Sequence, residues 1–163
     1  MSSSTLLSEH VREEIEHWKA RFPEDRQRSA VIGALHAVQH ENDGYLTPEL
    51  MDAVAEYLGL PNIQVYEVAT FYSMFQTKPV GRHNVAICTN VSCMLRGADD
   101  IVEHVEQRLG VRLGESTGDG RIYLKREEEC LAACCGAPMM MVDHKYYENL
   151  TLDQVDDILD GLD

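Results

Sequence analysis

Apolar residues recur at three- and four-residue steps through the first half of the chain. Leu7, Val11, Ile15, Trp18 and Phe22 form one stripe ahead of Pro23, the spacing of an amphipathic helix. Val31, Leu35 and Val38 continue the pattern in a second helix, from about Arg26 to Glu41, which Asn42-Asp43-Gly44 breaks. Thr47-Pro48-Glu49 reads as a helix start: a hydroxyl cap, a proline in the first turn and an acid near the positive end of the helix dipole. Leu50, Val54 and Leu58 share a face that Gly59 closes, and a short fourth helix is expected over Asn62 to Thr70. Four apolar stripes cannot all face water, so residues 1–78 are expected to pack as a helical bundle.

The period changes after Pro79-Val80-Gly81. His83 to Cys88 alternates through Val85 and Ile87 and predicts a strand. Gly97 to Leu109 returns to helical spacing through Ile101, Val102, Val105 and Leu109. Gly110 to Gly120 holds four glycines and reads as loop. Arg121 to Arg126 predicts a second strand, with Ile122 and Leu124 on one face. Met139 to Val142 and Lys145 to Tyr147 predict a hairpin around Asp143-His144. Thr151 and Gln154 have capping-box spacing ahead of a final stripe of Val155, Ile158 and Leu159. The expected fold class is therefore α/β: the helical bundle of residues 1–78, then a small sheet covered by helices over residues 79–163.

Charge narrows the range of partners. Acidic residues number 28 against 14 basic ones, for a net charge of −14. Such a chain is not built to bind nucleic acid, whose phosphates need a basic face, nor to dock on anionic lipid. The clearest acidic runs are Glu127-Glu128-Glu129 and the segment from Asp153 to Asp163. They serve solubility, or else steer a basic partner or disfavour reduction of a buried centre. No segment approaches the roughly 20 apolar residues of a membrane helix, so direct membrane insertion is not expected. The first residues lack the basic start and long apolar run of a secretory signal, and the chain reads as cytoplasmic.

In that compartment five cysteines point to metal or redox chemistry rather than structural disulfides. Cys88 and Cys93 form C-x4-C, 36 residues separate them from the second pair, and Cys130 and Cys134 form C-x3-C. Each pair lies just past a predicted strand, and two such loops can converge at one edge of a sheet. Ala132, Ala133, Gly136 and Ala137 let backbone N–H groups approach the sulfurs. Pro138 ends the loop, where a cis bond can form. Spacing alone leaves three occupations open: an iron–sulfur cluster, zinc, or buried or redox thiols. There is no C-x-x-C motif, which disfavours a thioredoxin-like oxidoreductase.

Three segments carry a family resemblance over nearly the whole chain. They are Val68-Ala69-Thr70-Phe71-Tyr72, Ile87-Cys88-Thr89-Asn90-Val91-Ser92-Cys93-Met94-Leu95-Arg96-Gly97, and Cys130-Leu131-Ala132-Ala133-Cys134-Cys135-Gly136-Ala137-Pro138. With them the chain resembles the 24-kilodalton-type [2Fe–2S] subunit of NADH:quinone oxidoreductase, respiratory complex I, known in bacteria as its E-type subunit. The resemblance implies an N-terminal helical bundle followed by a thioredoxin-like domain. It implies one [2Fe–2S] cluster on Cys88, Cys93, Cys130 and Cys134, and no residue that catalyses alone. FMN and NADH would sit on a partner flavoprotein subunit. Both chains would belong to the peripheral arm of a larger, membrane-bound respiratory complex. Cys135 departs from the family pattern, which does not require a thiol there. Two alternatives stand beside this reading: the equivalent subunit of an NAD-linked hydrogenase or formate dehydrogenase, and a four-cysteine zinc interaction module.

Other residues read more plainly. His36 and His40 have zinc-ligand spacing but no third ligand, and are expected on the surface or packed. Phe71, Tyr72 and Phe75 are expected in the core, or else at the flavoprotein interface. Met139-Met140-Met141 is expected to alternate across a strand. Lys78, Arg82 and Arg96 are expected on solvated surface. No G-x-G-x-x-G follows a strand, so the nucleotides are not expected on this chain.

Overall fold

The computed structural model describes residues 6–125 and 130–163. The acidic run Glu127-Glu128-Glu129 and the Arg126 end of the expected second strand lie outside the described residues. The chain divides into two compact units, Met1–Pro79 and Val80–Asp163.

The first unit is helical. Helix α1 spans Glu9–Lys19, with the Ser8 hydroxyl accepting from the Val11 N–H at 3.1 Å. A 3-10 segment, Glu24–Ala30, precedes α2, Val31–Glu41. The second helix therefore begins later as α-helix than the periodicity suggests. The stretch from Glu24 to Arg28 is polar throughout, so it has no apolar stripe to wind onto the core at 3.6 residues per turn. Helix α3, Pro48–Leu58, starts and stops as its residues dictate. Thr47 Oγ1 accepts from the Leu50 N–H, and Gly59 ends the helix in the left-handed region at φ 65°. Helix α4 spans Asn62–Phe71. The core joins Leu7, Val11 and Ile15 to Leu35, Val38, Val54, Val65 and Phe75. Trp18 is only half-buried and lies over Gly33, where any side chain would run into its ring. Phe22 falls beyond the end of α1.

The second unit is a five-stranded sheet in the order β2-β3-β1-β4-β5. Its strands are β1 His83–Ile87, β2 Glu115–Ser116, β3 Ile122–Leu124, β4 Met140–Val142 and β5 Lys145–Tyr147. The glycine-rich stretch expected as loop thus contains β2, which pairs antiparallel with β3. Two residues are too few for alternation to register as a strand in the sequence. Strand β1 runs parallel to β3 and antiparallel to β4. Helix α5, Val91–Met94, is a single turn; α6 is Ala98–Leu109 and α7 Leu152–Asp160. The Thr151–Gln154 capping box is formed in both directions.

Alternation gives the sheet two faces. Val85, Ile87, Ile122, Leu124, Met140 and Val142 pack with Ile101, Val105, Val155 and Leu159 of α6 and α7. Ala86, Cys88 and Met139 belong to a second, smaller cluster with Cys93, Ala98, Leu131 and Ala137. The three methionines do divide between the faces, Met140 on one and Met139 and Met141 on the other.

Candidate metal centre

Parallel strands put their carboxyl ends at the same end of a sheet. Cys88 follows directly from β1, and the chain from β3 leads toward Cys130, so the two cysteine loops leave the sheet together. Strand β4 enters at that end. The Cys88 N–H donates to the Met139 carbonyl at 3.2 Å, tying the first loop to the segment after the cis Ala137–Pro138 bond.

The first loop is not irregular, as the sequence suggested. It contains α5, whose Cys93 faces inward while Val91, Met94 and Leu95 stay exposed. The second loop makes a 3-10 turn, Cys134–Gly136, after Ala132 at φ 60°. Cys88 and Cys93 are buried, whereas Cys130, Cys134 and Cys135 are exposed.

The four expected ligand thiols interact across both loops. Cys130 Sγ lies 3.8 Å from Cys134 Sγ. Cys88 engages the thiols of both Cys93 and Cys130, and Ser92 of the first loop hydrogen-bonds to Cys134 of the second. Backbone donors approach as well. The Ala132 N–H donates to Cys130 Sγ at 3.3 Å, the Leu131 and Asn90 N–H groups donate to Cys88, and the Met139 N–H to Cys93.

These surroundings separate the thiols. Burial pushes Cys88 upward, but the Leu131 and Asn90 N–H groups and the Cys93 and Cys130 thiols outweigh it, and its pKa falls below the ordinary value. Burial, reinforced by Cys88, pushes Cys93 up to about 11. Cys134 is raised chiefly by its bond to Cys130. One thiol lowered and two raised is what crowded, interacting sulfurs produce.

Among the described residues, no three or more His, Cys, Asp or Glu side chains gather as ligands for a single metal ion. A binuclear iron–sulfur cluster asks for a different arrangement, two thiolates to each iron with inorganic sulfide between the irons. Paired thiols supplied with backbone N–H donors fit that demand. The donors had no signal beyond the small residues of the second loop. The Ser92 contact and the buried Lys125 had none.

Lys125 is the one buried charged side chain among the described residues, and burial lowers its pKa. Continuing the β1–β3 register, it falls beside Ala86, on the Cys88 face of the sheet. Lys78, Arg82 and Arg96 are exposed. His36 packs against Phe75 with ring centroids 4.9 Å apart. Phe75 is core, but the core expectation fails for Phe71 and Tyr72, which are 79% and 40% exposed. Phe71 is the last residue of α4 and Tyr72 its extended C-cap, so neither adds to the buried Val65 and Ala69 face.

The model of the thioredoxin-like [2Fe–2S] ferredoxin family matches residues 15–163. The chain belongs to that family. Within it, the chain is 43% identical over 142 residues to the E-type subunit of NADH-quinone oxidoreductase from Rickettsia conorii, covering 87% of this chain and 84% of the relative. It is 44% identical over 151 residues to an E-type subunit of NADH-quinone oxidoreductase from Rhizobium meliloti, covering 93% and 88%. Family membership and these relatives make it an E-type chain of an oxidoreductase, as the three family segments implied. An NAD+-reducing [NiFe]-hydrogenase structure shares the fold at TM-score 0.65 and 20% identity, over 77% of this chain and 22% of that one. No described helix is long and apolar enough to cross a membrane.

Proposed function

We propose that this chain binds one [2Fe–2S] cluster through Cys88, Cys93, Cys130 and Cys134, and exchanges single electrons with the FMN of a partner flavoprotein subunit that oxidises NADH. The observation that carries the reading is the convergence of two cysteine loops from the carboxyl ends of parallel strands, in a chain of this family. When bound, the cluster supplies one-electron chemistry, which a flavin can couple to the two-electron oxidation of NADH. The chain's own residues do the rest. Cys88, Cys93, Cys130 and Cys134 would hold the cluster as thiolates, two to each iron. The N–H groups of Ala132, Leu131, Asn90 and Met139 offset negative charge on sulfur. Burial of Cys88 and Cys93 would keep water from their side of the centre.

Exposed apolar side chains support docking. Val91, Met94 and Leu95 stand on the first cysteine loop, and Phe71 and Tyr72 close α4. A stable complex would bury on the order of 1,000 Å² or more. The chain would then work on the cytoplasmic, peripheral arm of a larger respiratory complex.

The test begins with metal content after anaerobic purification: two irons and two acid-labile sulfides per chain are expected, on the stoichiometry of a [2Fe–2S] centre. Stoichiometric zinc without iron overturns the assignment. The purified chain is then mixed with its NADH-oxidising flavoprotein, NADH is added, and the reduced cluster is followed by paramagnetic resonance, with dithionite as the control for a low potential. NADH oxidation by the isolated chain, or failure to form a complex, overturns the division of labour.

A further inference from the structure

Glu148 brings a carboxylate to the second cysteine loop. Its side chain lies across Gly136, in the place where any other residue would put its Cβ. Gly136 closes the 3-10 turn that begins at Cys134. The backbone fixes this approach. The Asn149 N–H donates to the Gly136 carbonyl at 2.7 Å, and the Leu150 N–H donates to the Pro138 carbonyl at 3.0 Å. The residues after Glu148 are thus stitched to the residues after Cys134, and Glu148 sits over the turn between them.

We infer that Glu148 is a positioning residue that lowers the reduction potential of the centre by holding a negative charge against the turn that carries Cys134. The inference rests on the cluster assignment above. Reduction of an oxidised [2Fe–2S] centre adds one electron and deepens a charge that is already negative, so a nearby carboxylate opposes it. Exposed charges beyond about 8–10 Å are largely screened. Glu148 packs on Gly136, two residues along the same turn from Cys134. Glu148 is exposed, so its influence weakens with salt.

The experiment is a dithionite titration of the anaerobically purified full chain, read by paramagnetic resonance, with iron and sulfide measured on each variant. Glu148→Gln keeps its iron and takes up the electron about tenfold more readily, a rise of about 59 mV for one electron. Glu148→Asp restores a potential near that of the wild type. Gly136→Ala keeps the charge but displaces the carboxylate with a methyl group, and raises the potential by less. Asp157→Asn, which removes the same charge from the exposed face of α7, leaves the potential unmoved. Raising the salt concentration narrows the gap between wild type and Glu148→Gln.

A full cluster whose potential is the same in Glu148→Gln as in wild type overturns the inference. So does an equal rise in Asp157→Asn, which would reduce the effect to net charge. If Glu148→Gln loses iron, Gly136→Ala decides: an unmoved potential there overturns the inference. A wild-type chain without iron and sulfide is a different failure, that of the cluster assignment.

Discussion

The two ends of β1 answer different needs. At its start, His83 sits between two acceptors. Nδ1 is 2.6 Å from Asp143 Oδ2 and Nε2 is 2.9 Å from the Asp163 carbonyl. The other Asp143 oxygen accepts from the Asn84 N–H at 2.8 Å. Acceptors on both ring nitrogens call for the imidazolium, and the Asp143 bond raises the His83 pKa. Both ring nitrogens of His83 and both carboxylate oxygens of Asp143 find partners within the protein. At the other end, β1 runs into Cys88, and four thiols crowd together with N–H groups aimed at sulfur. Under the proposed ligation, a metal centre would complete that end. The first end is closed by its own residues, whereas the second gathers like groups, the arrangement that the proposed ligation uses.

The largest effect expected is loss of the centre. Cys88→Ser, Cys93→Ser, Cys130→Ser and Cys134→Ser should each lose most of the bound iron and sulfide. Full iron content in any of the four would remove that residue from the ligand set. A core substitution separates folding from ligation. Leu124 is fully buried on the helix-covered face of the sheet, so Leu124→Ala should cost about 2–5 kcal/mol in denaturant unfolding. The four proposed ligand thiols are untouched, so the variant should still take up iron when reconstituted below its melting temperature.

The cysteine pairs themselves should differ once the metal is gone. In apoprotein, Cys88→Ser and Cys93→Ser bury a hydroxyl and should cost roughly 1–3 kcal/mol. Cys130→Ser and Cys134→Ser, being exposed, should melt close to wild type. Equal melting temperatures across all four would erase the buried-versus-exposed contrast.

A smaller effect is expected at the closed end. Because the folded pKa of His83 is raised, its contribution is fully present below the unfolded value of about 6.5 and is lost as pH rises through the folded value. His83→Gln should therefore destabilise by about 1 kcal/mol or less near pH 5.5, since Asp143 is partly exposed, and by less as pH rises. A deficit that grows with pH would contradict the imidazolium. The smallest effect is expected at Cys135, the exposed thiol beside the turn. Cys135→Ser should keep full iron content and an unchanged visible spectrum. Loss of the centre there would mean that Cys134 is the wrong fourth ligand.

Much of this molecule is local and was therefore legible along the chain. Helices α1 to α4 announce themselves by periodicity, Thr47 and Thr151 by their caps, and Gly59 by the left-handed conformation it alone adopts without strain. The cysteine spacing and its flanking residues were enough to recognise the family. Strand β2 escaped because two residues carry no period. Phe71 and Tyr72 were misplaced because aromatic character does not say which way a helix end will turn.

The sequence by itself determined which residues could ligate and roughly which elements would carry them, because spacing, capping and alternation act within a few residues of one another. Only the tertiary structure decided that β1 and β3 run parallel and open their cysteine loops at one end of the sheet. It also decided that one thiol pair is buried and the other exposed, and that Lys125 and Glu148 lie near those loops. Those are distances between segments far apart in the chain. They follow from which apolar faces bury against each other, and no local pattern encodes them.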